Sequence, residues 1–293
     1  MHKAGFVNIV GNPNVGKSTL MNQLVGEKLS IATFKAQTTR HRIMGIVNTE
    51  DTQIVFSDTP GVLKPNYKMQ EMMLQFSESA LADADILLYV TDVVEDPEKN
   101  MDFLEKVSKM SIPVILLINK IDESDQKTLG KLVTKWHGLL PNAEILPISA
   151  KNKFGVDILF KRVHELLPES PAFFDKDQLT DKPAKFFVSE IIREKILRYY
   201  DKEIPYSVEV VIERFKEDDR QIHISAIIYV ERSSQKGIII GHQGMALKKV
   251  STEARKSLER FFDKKIFLET FVKVDKDWRN SQKELKHFGY SPE

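Results

Sequence analysis

Between an apolar run, Phe6-Val7-Asn8-Ile9-Val10, and a helix-forming stretch, Thr19-Leu20-Met21-Asn22-Gln23-Leu24, lies Gly11-Asn12-Pro13-Asn14-Val15-Gly16-Lys17-Ser18. Strand, glycine-rich turn, Lys-Ser and helix, in that order, are what a phosphate-binding loop requires. The glycines let the backbone bend until successive N–H groups converge on one anion, and the helix N-terminus adds its dipole. Asn14, Val15, Gly16 and Thr19 belong to this cradle, Lys17 supplies charge for β- and γ-phosphate oxygens, and the Ser18 hydroxyl suits Mg²⁺.

Two domains are expected in 293 residues, each large enough for its own core. The absence of cysteine excludes disulfides, thiolate catalysis and a cysteine zinc site, and suits a reducing cytosol. Met1-His2-Lys3-Ala4 runs straight into a predicted strand, so no signal peptide is expected, and no apolar run approaches the roughly 20 residues that span a bilayer. Charge separates the halves. Residues 1–180 carry 20 Lys and Arg against 23 Asp and Glu, whereas residues 181–293 carry 23 against 19. Between Lys236 and Lys265 stand eight basic and three acidic side chains, a local excess that points to a polyanion partner for the second half.

Up to residue 167, β-branched runs alternate with amphipathic stretches. Strands are predicted at Phe6–Val10, Ile43–Asn48, Gln53–Ser57, Ile86–Thr91, Val114–Asn119 and Glu144–Ile148. Helices are predicted near Ser18–Val25, Lys68–Ala82, Glu98–Lys109, Lys127–Leu139 and Val156–Leu167. Near-continuous apolar strands such as Ile86–Val90 are buried on both faces of a mainly parallel sheet, so residues 1–167 read as a doubly wound α/β domain. Pro168-Glu169-Ser170-Pro171 breaks the pattern and opens a linker over 168–183. Residues 184–274 form a second domain in the order α-β-β-α-α-β: helix Ala184–Tyr200, strands Tyr206–Phe215 and Gln221–Tyr229, a short apolar segment, a glycine pair, helix Met245–Phe262 and strand Lys265–Val274. A tail, 275–293, carries Trp278, Phe288 and Tyr290, which either stack on bases or anchor the chain to its own domain.

Further signals follow the phosphate loop in order. Asp58-Thr59-Pro60-Gly61 ends a strand; Asp58 suits a contact to Mg²⁺, and the Gly61 N–H can approach the γ-phosphate. Asn119-Lys120-Ile121-Asp122 ends the strand from Val114. The Asp122 carboxylate can accept from N1–H and the 2-amino group of guanine, donors that adenine lacks there. Asn119 would tie the base loop to the phosphate loop, and the Lys120 stem can lie along the purine. Ser149-Ala150-Lys151 supplies a backbone N–H for guanine O6. In Lys35-Ala36-Gln37-Thr38-Thr39-Arg40, a threonine hydroxyl can meet Mg²⁺; the sequence leaves Thr38 and Thr39 both open, with Thr39 preferred.

Together GNPNVGKS, QTTR, DTPG, NKID and SAK resemble the translation-factor-related GTPases over residues 1–167. The resemblance implies a P-loop NTPase fold that binds GTP and GDP with Mg²⁺ and hydrolyses GTP. Ser18, Thr39 and Asp58 would then serve the metal, and Lys17, Thr39 and Gly61 the γ-phosphate. Val62 stands where Ras-like enzymes place a glutamine that orients water, so slow hydrolysis without a partner is expected.

In the second domain, Gly237-Ile238-Ile239-Ile240-Gly241-His242-Gln243-Gly244 leads into a helix bearing Lys248, Lys249, Arg255 and Lys256. A G-x-x-G turn between helices lets a nucleic-acid backbone pass close by. The neighbouring isoleucines, Ile239 and Ile240 among them, can floor a groove for unstacked bases, and Lys236, Lys248 and Lys249 can meet phosphates. Gly241, His242, Gln243 and Gly244 of the turn are counted with the RNA-binding residues, although His242 by itself reads as an exposed turn residue. This resembles a type II KH domain, an α+β fold, and the GTPase–KH order resembles the Era family over nearly the whole chain. That resemblance implies a cytoplasmic monomer that binds 16S rRNA near its 3′ end, acts on precursors of the 30S subunit, and associates peripherally with the inner face of the cell membrane. A second reading is a membrane-peripheral signalling GTPase whose basic patch meets anionic lipid. A metabolic NTPase is disfavoured, because Asn119–Asp122 selects a base without supplying a second substrate site.

Overall fold

The apolar runs form the interior of a six-stranded sheet in the computed structural model, which describes residues 2–291. In chain order the first elements are β1 (Lys3–Gly11), α1 (Lys17–Val25), β2 (Ile43–Asn48), β3 (Thr52–Asp58), α2 (Lys68–Ala82) and β4 (Ile86–Asp92). Then come α3 (Met101–Ser108), β5 (Val114–Asn119), α4 (Gln126–Leu139), β6 (Glu144–Pro147) and α5 (Val156–Leu166). The strand order is β2-β3-β1-β4-β5-β6, with only β2 antiparallel to its neighbour. From β1 the chain winds first to one side and then to the other. The carboxyl end of β1 is therefore the switch point at which doubly wound sheets bind ligands.

Every residue of β3 and β4 is buried. In β4 that follows from an apolar run. In β3 it requires partners for polar groups, and Gln53 finds them in the stretch expected as a linker. Gln53 Oε1 accepts from the amides of Phe173 and Phe174 at 2.7 and 2.9 Å, and Nε2 donates to the Phe174 carbonyl at 2.8 Å. Farther along, the Ile46 amide donates to the Leu179 carbonyl and the Met44 amide to Asp181. Of the two compact units, the first takes in Gln70–Asp181 and the second takes in Lys182–Ser291, so 168–181 lies on the first unit instead of running free.

The second unit contains α6 (Ala184–Tyr199), α7 (Ile204–Ser207), β7 (Glu209–Glu217), β8 (Gln221–Val230), α8 (Ser233–Ile240), α9 (Met245–Phe262), β9 (Lys265–Val274) and α10 (Gln282–His287). β7 pairs antiparallel with β8, which pairs parallel with β9. Alternate β8 residues, Ile222, Ile224, Ala226 and Ile228, join Val188 and Ile192 of α6 and Val250 and Leu258 of α9 in one core. The strand expected from Tyr206 begins only at Glu209, because Ile204-Pro205-Tyr206-Ser207 forms a helical turn with Pro205 near its start, where no donor is lost. The hairpin is tighter than expected: Asp218 Oδ1 accepts from the amides of Arg220 and Gln221 at 2.8 and 2.9 Å. The helix expected from Glu98 starts at Met101, after a turn that includes Pro97.

The tail is an anchor and not a stacking platform. Trp278 is 0% exposed and donates Nε1–H to the Ser207 carbonyl at 3.2 Å. The Tyr290 hydroxyl donates to Glu209 at 2.6 Å, and Phe288 packs on Trp278 and Tyr229. Residues 292 and 293 of the tail, like Met1, lie outside the described residues. Among the described residues no helix is long and apolar enough to cross a membrane. Trp278→Ala should destabilise the second unit by about 3–5 kcal/mol, as expected for emptying a buried tryptophan site; urea unfolding followed by far-UV circular dichroism will read it as a lower midpoint.

Candidate functional site

The loops that leave the carboxyl ends of β1, β3, β5 and β6, together with the loop that leads from α1 into β2, surround a cavity of about 420 Å³ in the first unit. Asn14, Gly16, Lys17, Ser18 and Thr19 line one part of it. Thr38, Thr39 and Gly61 line another, and Asn119, Lys120, Asp122, Ala150 and Lys151 a third. Residues far apart in sequence meet here because parallel strands deliver all their following loops to one edge of the sheet.

Oxygen donors gather where a metal is expected. Ser18 Oγ lies 2.8 Å from Thr39 Oγ1 and donates to Asp58 Oδ2 at 2.7 Å, and Thr39 Oγ1 donates to the same oxygen at 3.3 Å. Thr38 turns the other way: its hydroxyl donates to the Lys35 carbonyl at 2.5 Å and lies 2.7 Å from Thr33 Oγ1. Asp58 Oδ1 is buried and has no hydrogen-bond partner among the described residues. Burial pushes the Asp58 carboxyl up, against the opposing pull of the Lys17 charge and of the Ser18 and Thr39 hydroxyls. Two hydroxyls converging on a half-satisfied buried carboxylate are the oxygen donor set that Mg²⁺ takes, with phosphate oxygens and water to complete it. The residues fit the ion.

Lys17 is equally enclosed. Its Nζ donates to the carbonyls of Gly11 and Asn12 at 3.0 and 2.8 Å, and burial pulls its pKa down to about 8, with Asp58 and Glu95 pulling the other way. A buried ammonium held by neutral carbonyls is poised for an anion.

The base-selecting loop is joined to the phosphate loop as expected. Asn119 Nδ2 donates to the Val15 carbonyl at 2.8 Å, while its Oδ1 accepts from the Ala150 amide at 2.9 Å. A Cβ on Gly16 would come within 2.2 Å of that Nδ2, so the tie demands glycine, which also tolerates the local φ of +97°. Ser149 Oγ donates to Asp122 Oδ1 at 2.6 Å and accepts from the Asn152 amide, which fixes the carboxylate. Lys120, in the left-handed region at φ +61°, pairs its ammonium with Asp92 at the end of β4, a partner that carried no motif in the sequence.

Gly61 lies on the cavity wall, but Val62 does not serve the site through its side chain. It is 4% exposed and belongs to the core cluster that includes Val10, Ala80 and Leu87; its amide donates to the Gly11 carbonyl at 3.0 Å.

In the second unit, α8 ends at a turn formed by Gly241 (φ +69°), His242, Gln243 (φ +49°) and Gly244 (φ +75°), directly before the N-terminus of α9. A Cβ on Gly241 would lie 2.6 Å from that of Ala246. His242, Gln243 and Lys248 are exposed, and Lys236 and Ile240 are partly so. One expected contact lies elsewhere. Ile239 is 0% exposed, inside the core, and its carbonyl accepts from the Tyr200 hydroxyl at 2.7 Å, because the segment is a helix that turns this residue inward. Lys249 is exposed, with its ammonium 4.5 Å over the Tyr199 ring of α6. The groove found here is about 350 Å³, lies between α9 and β9, and is lined by Gly244, Lys248, Thr252, Arg255 and by Leu268 and Thr270 of β9, which sequence reasoning missed. Arg255 and Lys256 pair with Glu259 and Glu253 on the exposed helix, contacts weak enough to yield to a phosphate.

These two sites define a P-loop GTPase domain followed by a KH domain. The family described as 50S ribosome-binding GTPase matches residues 6–120, and the KH domain family matches 203–279. GTPase Era of Clostridium kluyveri is 44% identical over 99% of this chain and 100% of its own length, and GTPase Era of Geobacter sp. (strain M21) is 46% identical over 98% of each. The chain matches a crystal structure of Era in complex with MgGDPNP and nucleotides 1506–1542 of 16S ribosomal RNA, with TM-score 0.95 and 37% identity, each chain covered completely. It likewise matches a point variant of Aquifex aeolicus Era bound to GDP·AlF₄⁻, with TM-score 0.94 and 37% identity over 99% of this chain and 100% of that one. The chain belongs to the Era family of GTPases, and its first domain binds guanine nucleotide and hydrolyses GTP.

Burial of Val62 makes a direct test of how water is positioned. Val62→Gln should not accelerate single-turnover GTP hydrolysis, because the amide enters the core and not the cavity. It should instead lower stability by about 1–3 kcal/mol, the cost of an unpartnered buried polar group. A faster variant would place this side chain at the reaction.

Proposed function

We propose that this chain is a Mg²⁺-dependent GTPase that binds single-stranded RNA near the 3′ end of 16S rRNA and acts in assembly of the small ribosomal subunit. The observation that carries this reading is full-length similarity to a protein solved with MgGDPNP and a 16S rRNA segment, joined to a KH fold whose G-x-x-G turn and basic helix face the α9–β9 groove.

Within the GTPase cycle, Ser18 and Thr39 would turn their hydroxyls, and Asp58 its carboxylate, toward Mg²⁺, which when bound neutralises charge on β- and γ-phosphate oxygens. Lys17 and the amides of Asn14–Thr19 hold the same oxygens, and the Gly61 N–H meets the γ-phosphate. Asp122 selects guanine, with the Ala150 and Lys151 segment at O6. Water attacks in line with the leaving oxygen, and stabilisation of charge on the phosphoryl oxygens supplies the rate. No side chain of the Gly61–Val62 segment orients that water, so hydrolysis is slow until a partner or an ordered loop supplies the missing contact. GTP orders the 37–40 and 58–62 loops and thereby sets RNA affinity.

On the RNA side, Gly241–Gly244 lets the sugar-phosphate chain approach the positive end of α9, Lys236 and Lys248 meet phosphates, and unstacked bases enter the groove. Fluorescence anisotropy of a short single-stranded RNA, with GTP analogue, GDP or no nucleotide, tests the reading. Gly241→Asp with Gly244→Asp should weaken binding at least about ten-fold, and Lys248→Ala should lower the salt slope by about 0.7. Unchanged RNA binding by the double variant, or binding of anionic vesicles that follows total charge and ignores the turn, would favour the lipid reading. RNA affinity equal in all nucleotide states would remove the switch.

A further inference from the structure

Asn100 stands immediately before α3, where an asparagine side chain ordinarily accepts a hydrogen bond from an N–H of the first turn. It makes no such cap. With its backbone at φ −136° and ψ 59°, the residue sends its side chain away from the helix and toward the phosphate loop. There Nδ2 donates to Asn12 Oδ1 and, at 3.1 Å, to the Val62 carbonyl. One amide nitrogen carries two hydrogens, so both bonds form together. The acceptors belong to different parts of the nucleotide site: Asn12 is a buried member of the phosphate loop, 3% exposed, and Val62 follows Gly61. The Val62 amide is bonded to Gly11 at 3.0 Å, so the residue is fixed on both sides, by the phosphate loop through its N–H and by Asn100 through its C=O. Nearby, the Glu95 carboxyl accepts from Thr91 Oγ1 at 3.0 Å.

We propose that Asn100 is a positioning residue for GTP hydrolysis: by bonding Asn12 and Val62 at once, it sets the Gly61–Val62 backbone against the phosphate loop so that the Gly61 N–H points where the γ-phosphate arrives. The inference rests on the reading of Gly61 as the γ-phosphate donor. GDP has no γ-phosphate, so the clamp acts on GTP alone. Capping is not what Asn100 does for the fold, since the cap bond is absent. That separates positioning from structure.

Asn100→Ser is the discriminating variant, because serine is as good a helix cap as asparagine and too short to reach both acceptors; Asn100→Ala accompanies it. In the full chain with Mg²⁺, both should lower single-turnover kcat by about 10- to 100-fold, the cost of misplacing a reacting group by an ångström or less. Affinity for a non-hydrolysable GTP analogue should fall several-fold, while GDP affinity stays unchanged and the thermal midpoint of the serine variant does not drop. Unaltered kcat and analogue affinity would overturn the proposal. So would a parallel loss of GDP affinity, analogue affinity and thermal midpoint, which is the signature of a structural role. Gly61→Ala separates the underlying reading: normal hydrolysis by that variant would remove Gly61 from the γ-phosphate and the proposal with it, whereas a slow Gly61→Ala beside a normal Asn100→Ser would overturn Asn100 alone.

Discussion

The Asn119 side chain is the joint on which the nucleotide site depends. It sits at the end of a strand two places from β1 in the sheet, 3% exposed, and commits both halves of its amide to other loops: Nδ2 to the Val15 carbonyl and Oδ1 to the Ala150 amide. The three loops that carry Val15, Asn119 and Ala150 are thereby held in one frame, which is what preorganisation of a binding site requires. The geometry leaves no slack, since even a methyl group on Gly16 would occupy the place of the amide.

Around that joint the site is built from charges that burial disfavours. Lys17 is pulled down and Asp58 pushed up, each by its own desolvation and each partly restored by the other. Such a pair contributes little to folding, because removing two ions from water costs about as much as their attraction returns. On the proposed reading its value lies in binding: Lys17 and Asp58 would meet a phosphate chain and Mg²⁺, and Asp58 Oδ1 has no hydrogen-bond partner among the described residues. The Gly61–Val62 segment is held in the same frame by Gly11 and Asn100.

What the sequence made legible follows from locality. Phosphate-loop, guanine and KH-turn signals are contiguous and sit at strand or helix ends, so their residue types announce the backbone geometry they need. The six strands of the first sheet are legible as short β-branched or apolar runs, unbroken where both faces are buried, as along Ile86–Val90 of β4. Long-range partners were not visible. Thr38 and Thr39 are chemically identical neighbours, and only the course of their loop sends one hydroxyl to Asp58 and the other to Thr33. Ile239 was placed on the surface by its position beside the glycines, yet α8 rotates it into the core. Residues 168–181 looked like a linker by composition, but Gln53, buried within β3, needs their backbone. Asp92 and Asn100 announce nothing in sequence, since a lone acidic or amide residue gains meaning only from what folding sets beside it.

The most direct measurement of this account is calorimetric titration of GDP and of a GTP analogue into Asn119→Ala, with the fold verified by circular dichroism. If one amide holds the phosphate, base and O6 loops in register, both affinities should fall by at least about 100-fold in a folded protein, as expected when buried partners are left unpaired. Wild-type affinity for both ligands would show that the loops keep their places without it, and the account would be wrong.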